Sequence, residues 1–298
     1  MCALDYLSAV PGAPKPGGTG VRCAGGIWKR RVSREKPERE ARMKYSTLIT
    51  ETEGNVLIVT LNRPPMNALN GELIVELGRL LDEAGEDAEV RAVVITGSGD
   101  KAFSAGADLS SGFGEDVGSF VKRGQDAFTR IERFGRPVVA AINGHALGGG
   151  CEMAMACHFR IMKEGGTIGL TESSLGIIPG YGGTQRLPRL IGRSRALEMM
   201  ILGKRIGAGE ALELGLVNEV CGEGETLEKA KGLARRLAER APVASKLIID
   251  AVARGADLPI EDALAVEREN FVKVIGTQDA AEGIRAFFEK KKPEFKGK

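Results

Sequence analysis

Three short runs of β-branched and aliphatic residues, the first two separated by a stretch of helical spacing, most restrict the fold open to this chain. Val56-Leu57-Ile58-Val59-Thr60-Leu61 is the first, stopped by Asn62-Arg63-Pro64-Pro65, where proline removes the donors a strand ladder needs. Val90 to Thr96 is the second and Pro137 to Ile142 the third. Between the first two, Leu73, Val75, Leu77, Leu80 and Leu81 fall near helical spacing among acids and an arginine. Strand, helix, strand predicts a parallel crossover unit, and its recurrence predicts α/β architecture. Beyond Val220 the pattern changes to long helical segments over Thr226–Arg240, Ala244–Arg254, Pro259–Ile275 and Ala280–Lys292. The expected layout is an α/β core over residues 44–222 and a helical region over 223–298.

Residues 1–43 do not fit that layout. Met1 to about Arg42 is rich in Gly, Pro and Arg, carries few acids before Glu35 and has no sustained apolar period. It reads as a disordered or mis-started extension, with Met43 as the alternative start, and a cytoplasmic protein follows. An Arg-rich transit peptide is the other reading, which would place the protein in the mitochondrial matrix.

Charge and composition exclude several classes. With 42 basic and 40 acidic residues the formal charge is +2, too small to draw the whole chain to nucleic acid or an anionic membrane. Five scattered cysteines without a C-x-x-C spacing signal neither a disulfide framework nor a zinc ribbon. His145 and His158 are the two histidines and form no ligand motif, so no metal is expected. No apolar run approaches the roughly 20 residues of a membrane-spanning helix.

Three segments concentrate residues able to do chemistry. His145-Ala146-Leu147-Gly148-Gly149-Gly150-Cys151-Glu152 runs a glycine triplet into a helix-forming stretch. Unpaired N–H groups and the positive dipole end at such a helix start would stabilise an oxygen that gains negative charge. Tight packing of helix on strand explains an isolated triplet equally well. Ala102 to Leu109 is a second small-residue loop past a strand end, here Ala92–Thr96, so two loops could offer two N–H groups to one carbonyl oxygen. Thr171-Glu172-Ser173-Ser174 precedes a third, the glycine-dense stretch from Gly176 to Gly183. Glu172 taken alone reads as a solvated surface acid. Gly97-Ser98-Gly99 begins a dinucleotide-binding pattern but lacks the third glycine and the helix start, which argues against a nicotinamide cofactor.

Together with the segment from Asn62-Arg63-Pro64 to Asn67-Ala68-Leu69, these elements resemble the enoyl-CoA hydratase/isomerase (crotonase) family from about Lys44 to the C-terminus. The resemblance is carried by Ala-Gly-Ala-Asp, Ala-Leu-Gly-Gly-Gly-Cys-Glu and Ile-Pro-Gly-x-Gly-Gly-Thr-Gln-Arg-Leu occurring in that order. It implies a crotonase-like ββα spiral core with a C-terminal α-helical oligomerisation region, assembled as a homotrimer or hexamer. It implies an acyl-CoA substrate and no further cofactor, since coenzyme A is part of the substrate. The backbone N–H groups of Ala107 and Gly149 would form the oxyanion hole, and Glu152 and Glu172 align with the two hydratase glutamates. Ala105, Asp108, Leu109, Ser110, Gly180, Phe287 and Lys290 are the implied substrate contacts. The implied reaction is reversible syn addition of water to a 2-enoyl-CoA thioester; a specialised hydratase or isomerase of branched or cyclic acyl-CoA is the nearest alternative.

Two residues tempt other readings. His158 stands where many relatives carry an aspartate and reads as a packed or surface histidine. Cys151 abuts Glu152 but has no local Cys-His arrangement, so packing is preferred for it too. Some relatives also bind RNA through a lysine-rich helix near Asn67-Ala68-Leu69. Here Glu72, Glu76, Asp82, Glu83 and Glu86 outnumber Arg79 in that helix, which would repel phosphate.

Overall fold

The three apolar runs form the centre of a six-stranded sheet. The computed structural model describes residues 45–111 and 116–298, so the extension over 1–43 lies outside the described residues. The sheet has the order β1 (Leu48–Glu53), β2 (Val56–Leu61), β3 (Ala92–Gly97), β5 (Val138–Ile142), β7 (Phe159–Lys163), β10 (Glu219–Cys221). β1 pairs antiparallel with β2, and every other neighbour is parallel.

Both faces of this sheet are buried, and the two-residue strand period sorts its side chains between them. Leu57, Val59, Leu61, Val93 and Ile95 join a core with Leu73, Leu77 and Leu80 of α1 (Gly71–Glu86) and Phe128 and Ile131 of α2 (Val117–Glu132). Val56, Ile58, Ala92, Val94 and Val139 face the other way, under Ala230, Ala234 and Ala238 of α7 (Thr226–Ala238). A stripe of alanines lets α7 sit close to the sheet. The first helix after residue 222 is therefore a layer of the α/β core, because the sheet's second face has no other apolar cover in that cluster.

A second, smaller sheet positions the site. Its order is β4 (Ala102–Ser104), β6 (His145–Leu147), β8 (Thr167–Gly169), β9 (Ile206–Gly207), with the first three parallel. The chain winds as a spiral in which a long strand in the large sheet is followed by a short strand in the small one and then by a helical segment. β3 and β4 lead to α2, β5 and β6 to α3 (Gly149–Ala156), and β7 and β8 to a 3-10 turn over Glu172–Leu175 and α4 (Gly183–Ile191). The loop Ala105–Leu109 thus follows its own strand, β4, and not the strand Ala92–Thr96 from which the sequence places it. Three-residue strands are too short to show a period, which is why the second sheet is invisible in the pattern. α5 (Arg193–Leu202) packs on α4, and α6 (Ala208–Glu213) lies beside β9 and β10.

The last three helices are α8 (Pro242–Gly255), α9 (Ile260–Ile275) and α10 (Gln278–Glu289). α8 and α9 pack on one another, and Asn270 Nδ2 donates to Leu247 O and Asp250 across their contact. Ile248, Val252, Phe271, Val272, Phe287 and Phe288 remain exposed on them.

Gly150 shows how tightly the helix of the glycine triplet sits on the small sheet. A Cβ there would stand 2.2 Å from the Ser104 carbonyl oxygen at the end of β4. The close-packing explanation of the triplet holds for this glycine. Gly150→Ala is expected to destabilise the protein by about 1–3 kcal/mol through overpacking, measured as a lower urea midpoint at unchanged slope.

Candidate active site

The three parallel strands of the small sheet end side by side, and each passes the chain to one part of a single cavity. This is where ligands sit in α/β sheets, outside the carboxyl ends of the strands. After β4, Leu69 donates to Gly106 O and accepts from Asp108 N–H in an isolated parallel bridge to Ala107. Since Leu69 uses the peptides on either side of Ala107, the Ala107 N–H points away from it. Arg63 locks this arrangement, donating to Ala68 O at 2.6 Å and to Asp108 at 2.9 Å. Asn67, in the left-handed region at φ 50°, donates to Ser98 O and Ala102 O and accepts from Arg63 N–H. The Asn-Arg-Pro and Asn-Ala-Leu segments are thus a clamp on the loop that carries Ala107.

After β6 the chain turns at Gly148, whose φ of 51° and ψ of −126° suit glycine, and enters α3 at Gly149. As the first helical residue, Gly149 has no intrahelical acceptor for its N–H. The two loops touch backbone to backbone: a Cβ on Gly106 would stand 2.8 Å from Leu147 O and 3.0 Å from Gly149 N. A Cβ on Gly149 would stand 3.3 Å from Ala107 N. Any side chain at either position would fill the space in which the Ala107 and Gly149 N–H groups meet.

Glu152 lies in the first turn of α3 and is 1% exposed. Its Oε1 accepts from the Tyr181 N–H at 2.8 Å and from the Gly183 N–H at 2.7 Å. After β8 the 3-10 turn brings Glu172 over the same glycines, its Oε1 3.0 Å from where a Cβ on Gly148 would lie. Glu172 Oε2 is buried and, among the described residues, has no hydrogen-bond partner. The cavity of about 460 Å³ between these loops is lined by Ala107, Gly149, Glu152, Glu172 and Tyr181, with apolar side chains from α2 and the 175–178 stretch. A larger groove of about 730 Å³ beside α1, α2 and α8 is lined by Arg130, Arg133, Arg136 and Lys246. It is open surface, and among the described residues its lining holds no buried carboxylate.

Residues 51–298 match the family model described as enoyl-CoA hydratase/isomerase. The chain belongs to the enoyl-CoA hydratase/isomerase family. It is 45% identical over 247 residues to a probable enoyl-CoA hydratase of Bacillus subtilis, a match covering 81% of this chain and 95% of that one. It is 43% identical to a short-chain-enoyl-CoA hydratase of Clostridium acetobutylicum, covering 85% and 98% of the two chains. A crystal structure of an enoyl-CoA hydratase from Bacillus anthracis matches with a TM-score of 0.81 at 42% identity, over 85% of this chain and 100% of that one. The ββα spiral is the crotonase fold that the motifs imply.

Of the positions that the family resemblance singles out, Ala105, Ala107, Leu109, Gly149, Glu152, Glu172 and Gly180 line the cavity. Asp108 is turned to Arg63 and to Ser110, which is exposed. Phe287 and Lys290, at the end of α10, are exposed and are not among the cavity's lining residues in their own chain. His158 is structural: its Nδ1 accepts from Val138 N–H, which leaves Nε2–H to donate to Glu132 O at 3.1 Å. Burial pushes its pKa down, keeping the neutral ring that this bridge requires. Cys151 is fully buried, and burial first, then the neighbouring glutamates, push its thiol far up, so it is no nucleophile.

The sequence reading passes over Tyr181, Arg186 and Glu132. Arg186 Nη1 donates to Tyr181 O at 2.9 Å, and its Nη2 and Nε reach Glu132 at 2.8 and 3.2 Å. This ion pair fixes the peptide unit whose neighbours hold Glu152. Its signal was the Thr-Gln-Arg-Leu end of the third motif, where Arg186 stands three residues past Gly183 on α4.

Burial pushes Glu152 up to about 7, with the Glu172 charge adding to the effect against the pull of the Tyr181 and Gly183 donors. Burial also raises Glu172. The native state therefore holds the Glu152 proton after the unfolded chain, with its ordinary value of 4.5, has lost it. Between those two pH values stability falls as pH rises, and above about 7 the full cost is present. Glu152→Gln keeps an acceptor for both N–H groups and removes the charge. It is expected to gain stability over the unsubstituted protein between pH 5 and pH 8, by up to about 3 kcal/mol, read from denaturant midpoints at both pH values. An equal difference at the two values would contradict the assignment.

Proposed function

We propose that this site is an enoyl-CoA hydratase centre that adds water reversibly across the double bond of a 2-enoyl-CoA thioester. The observation that carries the reading is the pair of glutamates, Glu152 and Glu172, lining one cavity together with Ala107 and Gly149. Ala107 and Gly149 N–H would receive the thioester oxygen. As water adds at C3, electron density moves through C2 and the carbonyl carbon onto that oxygen. Fixed donors then stabilise the enolate-like transition state more than the ground state.

Glu152 as carboxylate takes a proton from the attacking water, while Glu172 gives or relays a proton to C2 on the same face. The oxygen–C3 bond forms, the C2=C3 π pair takes up the new proton, and the dyad ends with as many protons as it began. Burial raises both carboxyls, and the Glu172 charge raises Glu152 further, which favours a pair that holds one shared proton, the state this exchange needs. With Glu152 Oε1 held by two backbone donors, its second oxygen is the one left for water. A double-bond shift needs one base alone, so the presence of both carboxyls favours hydration.

We also propose that α8–α10 pack against further copies of this chain, in a homotrimer or a pair of trimers. Phe271, Val272, Phe287 and Phe288 are 63–78% exposed, a density of large apolar side chains that marks an interface. A mass in solution of three or six chains is expected, and a monomer active at nanomolar concentration would contradict it.

With crotonyl-CoA, loss of absorbance at the enoyl thioester band should report turnover. Glu152→Gln and Glu172→Gln should each reduce it by about a hundredfold or more while retaining thioester binding. The rate should also rise with pH through about 7 as Glu152 ionises. Near-normal turnover by either variant would remove the dyad from the mechanism.

A further inference from the structure

We infer that Tyr181 is the length stop of the acyl cavity, so that the site selects short 2-enoyl groups over long ones. The inference rests on the thioester reading of the cavity, which fixes two points. The carbonyl oxygen lies at Ala107 and Gly149, and the reacting carbons lie between Glu152 and Glu172. Tyr181 stands next to both. Its N–H holds Glu152 at 2.8 Å, and its ring Cδ2 would lie 3.3 Å from a Cβ on Gly149.

Tyr181 is 4% exposed, and its ring is packed against α2. On α2, a Cβ at Gly124 would stand 2.3 Å from ring atoms Cδ1 and Cε1, so the ring occupies the space of a missing side chain. Phe128, fully buried, meets the ring edge-on at 5.5 Å and 84°, and Phe120 lies 6.0 Å away. The backbone cannot carry the ring aside cheaply. Tyr181 N–H is bound to Glu152, Tyr181 O to Arg186, and the preceding carbonyl, Gly180 O, accepts from Gln125 Nε2 of α2 at 2.9 Å. Moving the ring would break contacts to both walls of the cavity at once.

Beyond the half-buried Phe120 and Val121 and the buried Pro179, much of the apolar lining lies toward solvent. Val117, Leu175 and Ile178 are 50%, 63% and 76% exposed. A long acyl chain turned back by Tyr181 would run along that lip with its outer side left in water, so each added methylene buries only part of its own apolar surface. A short chain ends against the ring and forfeits nothing. Sequence similarity does not supply this inference; it comes from the interlock of Tyr181 with Gly124.

The test measures dissociation constants of butyryl-, octanoyl- and decanoyl-CoA, saturated thioesters that bind without reacting, and turnover of the matching 2-enoyl-CoA series. The unsubstituted protein should favour butyryl over decanoyl by about tenfold or more. Tyr181→Ala and the less disruptive Tyr181→Leu should each move that ratio about tenfold toward decanoyl, while Tyr181→Phe, which keeps the ring, should leave it in place. Equal affinity for all lengths, a ratio unmoved in both the alanine and leucine variants, or a ratio moved toward decanoyl in Tyr181→Phe as far as in those two would overturn the assignment. Length discrimination without hydration of any 2-enoyl thioester would sink the hydratase reading and leave the stop standing. Hydration of every length at equal efficiency would do the reverse, and failure to bind any of the three thioesters would remove both.

Discussion

Glu152 is a carboxyl group taken almost wholly out of water, and most of the local architecture exists to make that tolerable. An ionised carboxylate in such a place without partners would be too costly to keep. Two backbone N–H groups from a single turn, Tyr181 and Gly183, meet one of its oxygens. The turn that brings them needs Gly182 at φ 108°, and its shape is held by Arg186 gripping Tyr181 O. Arg186 is held in turn by Glu132 at the end of α2, and Glu132 O accepts from His158, whose other nitrogen receives the first N–H of β5. A residue of the large sheet is thereby connected to the cavity through five hydrogen-bonded groups.

The partners moderate the cost of burial and do not cancel it, since the pKa still rises to about 7. That residual cost is chemically useful. A carboxyl that titrates near neutrality can accept and release a proton within one turnover, whereas a fully compensated carboxylate would be a weak base. Surface pairs such as Arg254–Asp250 on α8 show the contrast. There the hydrogen bond from Asn270 and then the Arg254 guanidinium keep the Asp250 carboxylate below its usual range, and the group is suited to structure.

The larger fold was legible because long strands and amphipathic helices leave periods that survive in one sequence. Val56–Leu61 and the leucines of α1 are found where the pattern places them. The small sheet was not, since β4, β6 and β8 have three residues each and hold together through neighbours far apart in sequence. Its products were nonetheless visible as glycine motifs. Gly148 needs its φ, Gly150 has no room for a methyl group, and Gly149 opens the space before an N–H, so one triplet serves three separate constraints. The sequence could present packing and ligand approach only as alternatives, and at successive residues both apply. Phe287 and Lys290 are a different case: their places on α10 follow from local helix signals, but what they touch depends on elements that no local pattern reports.

The chemistry proposed for this cavity draws on backbone N–H groups and on two glutamates, and that division has a consequence for how the site can vary. An N–H group is supplied by any residue that can adopt the required conformation, so the positions around Ala107 and Gly149 are restricted by space and φ rather than by side-chain chemistry. The walls are restricted by neither. Tyr181 contributes its N–H to Glu152 through the backbone and its ring to the cavity through the side chain, two functions that separate cleanly in one residue. Replacing the ring changes volume next to the reacting carbons without removing a donor from the carboxyl. Gly124 is the closest-fitted partner of that ring, which fills the space a side chain there would need. A scaffold arranged this way can alter which acyl group it admits by exchanging two side chains on facing elements while the proton-transfer geometry stays fixed.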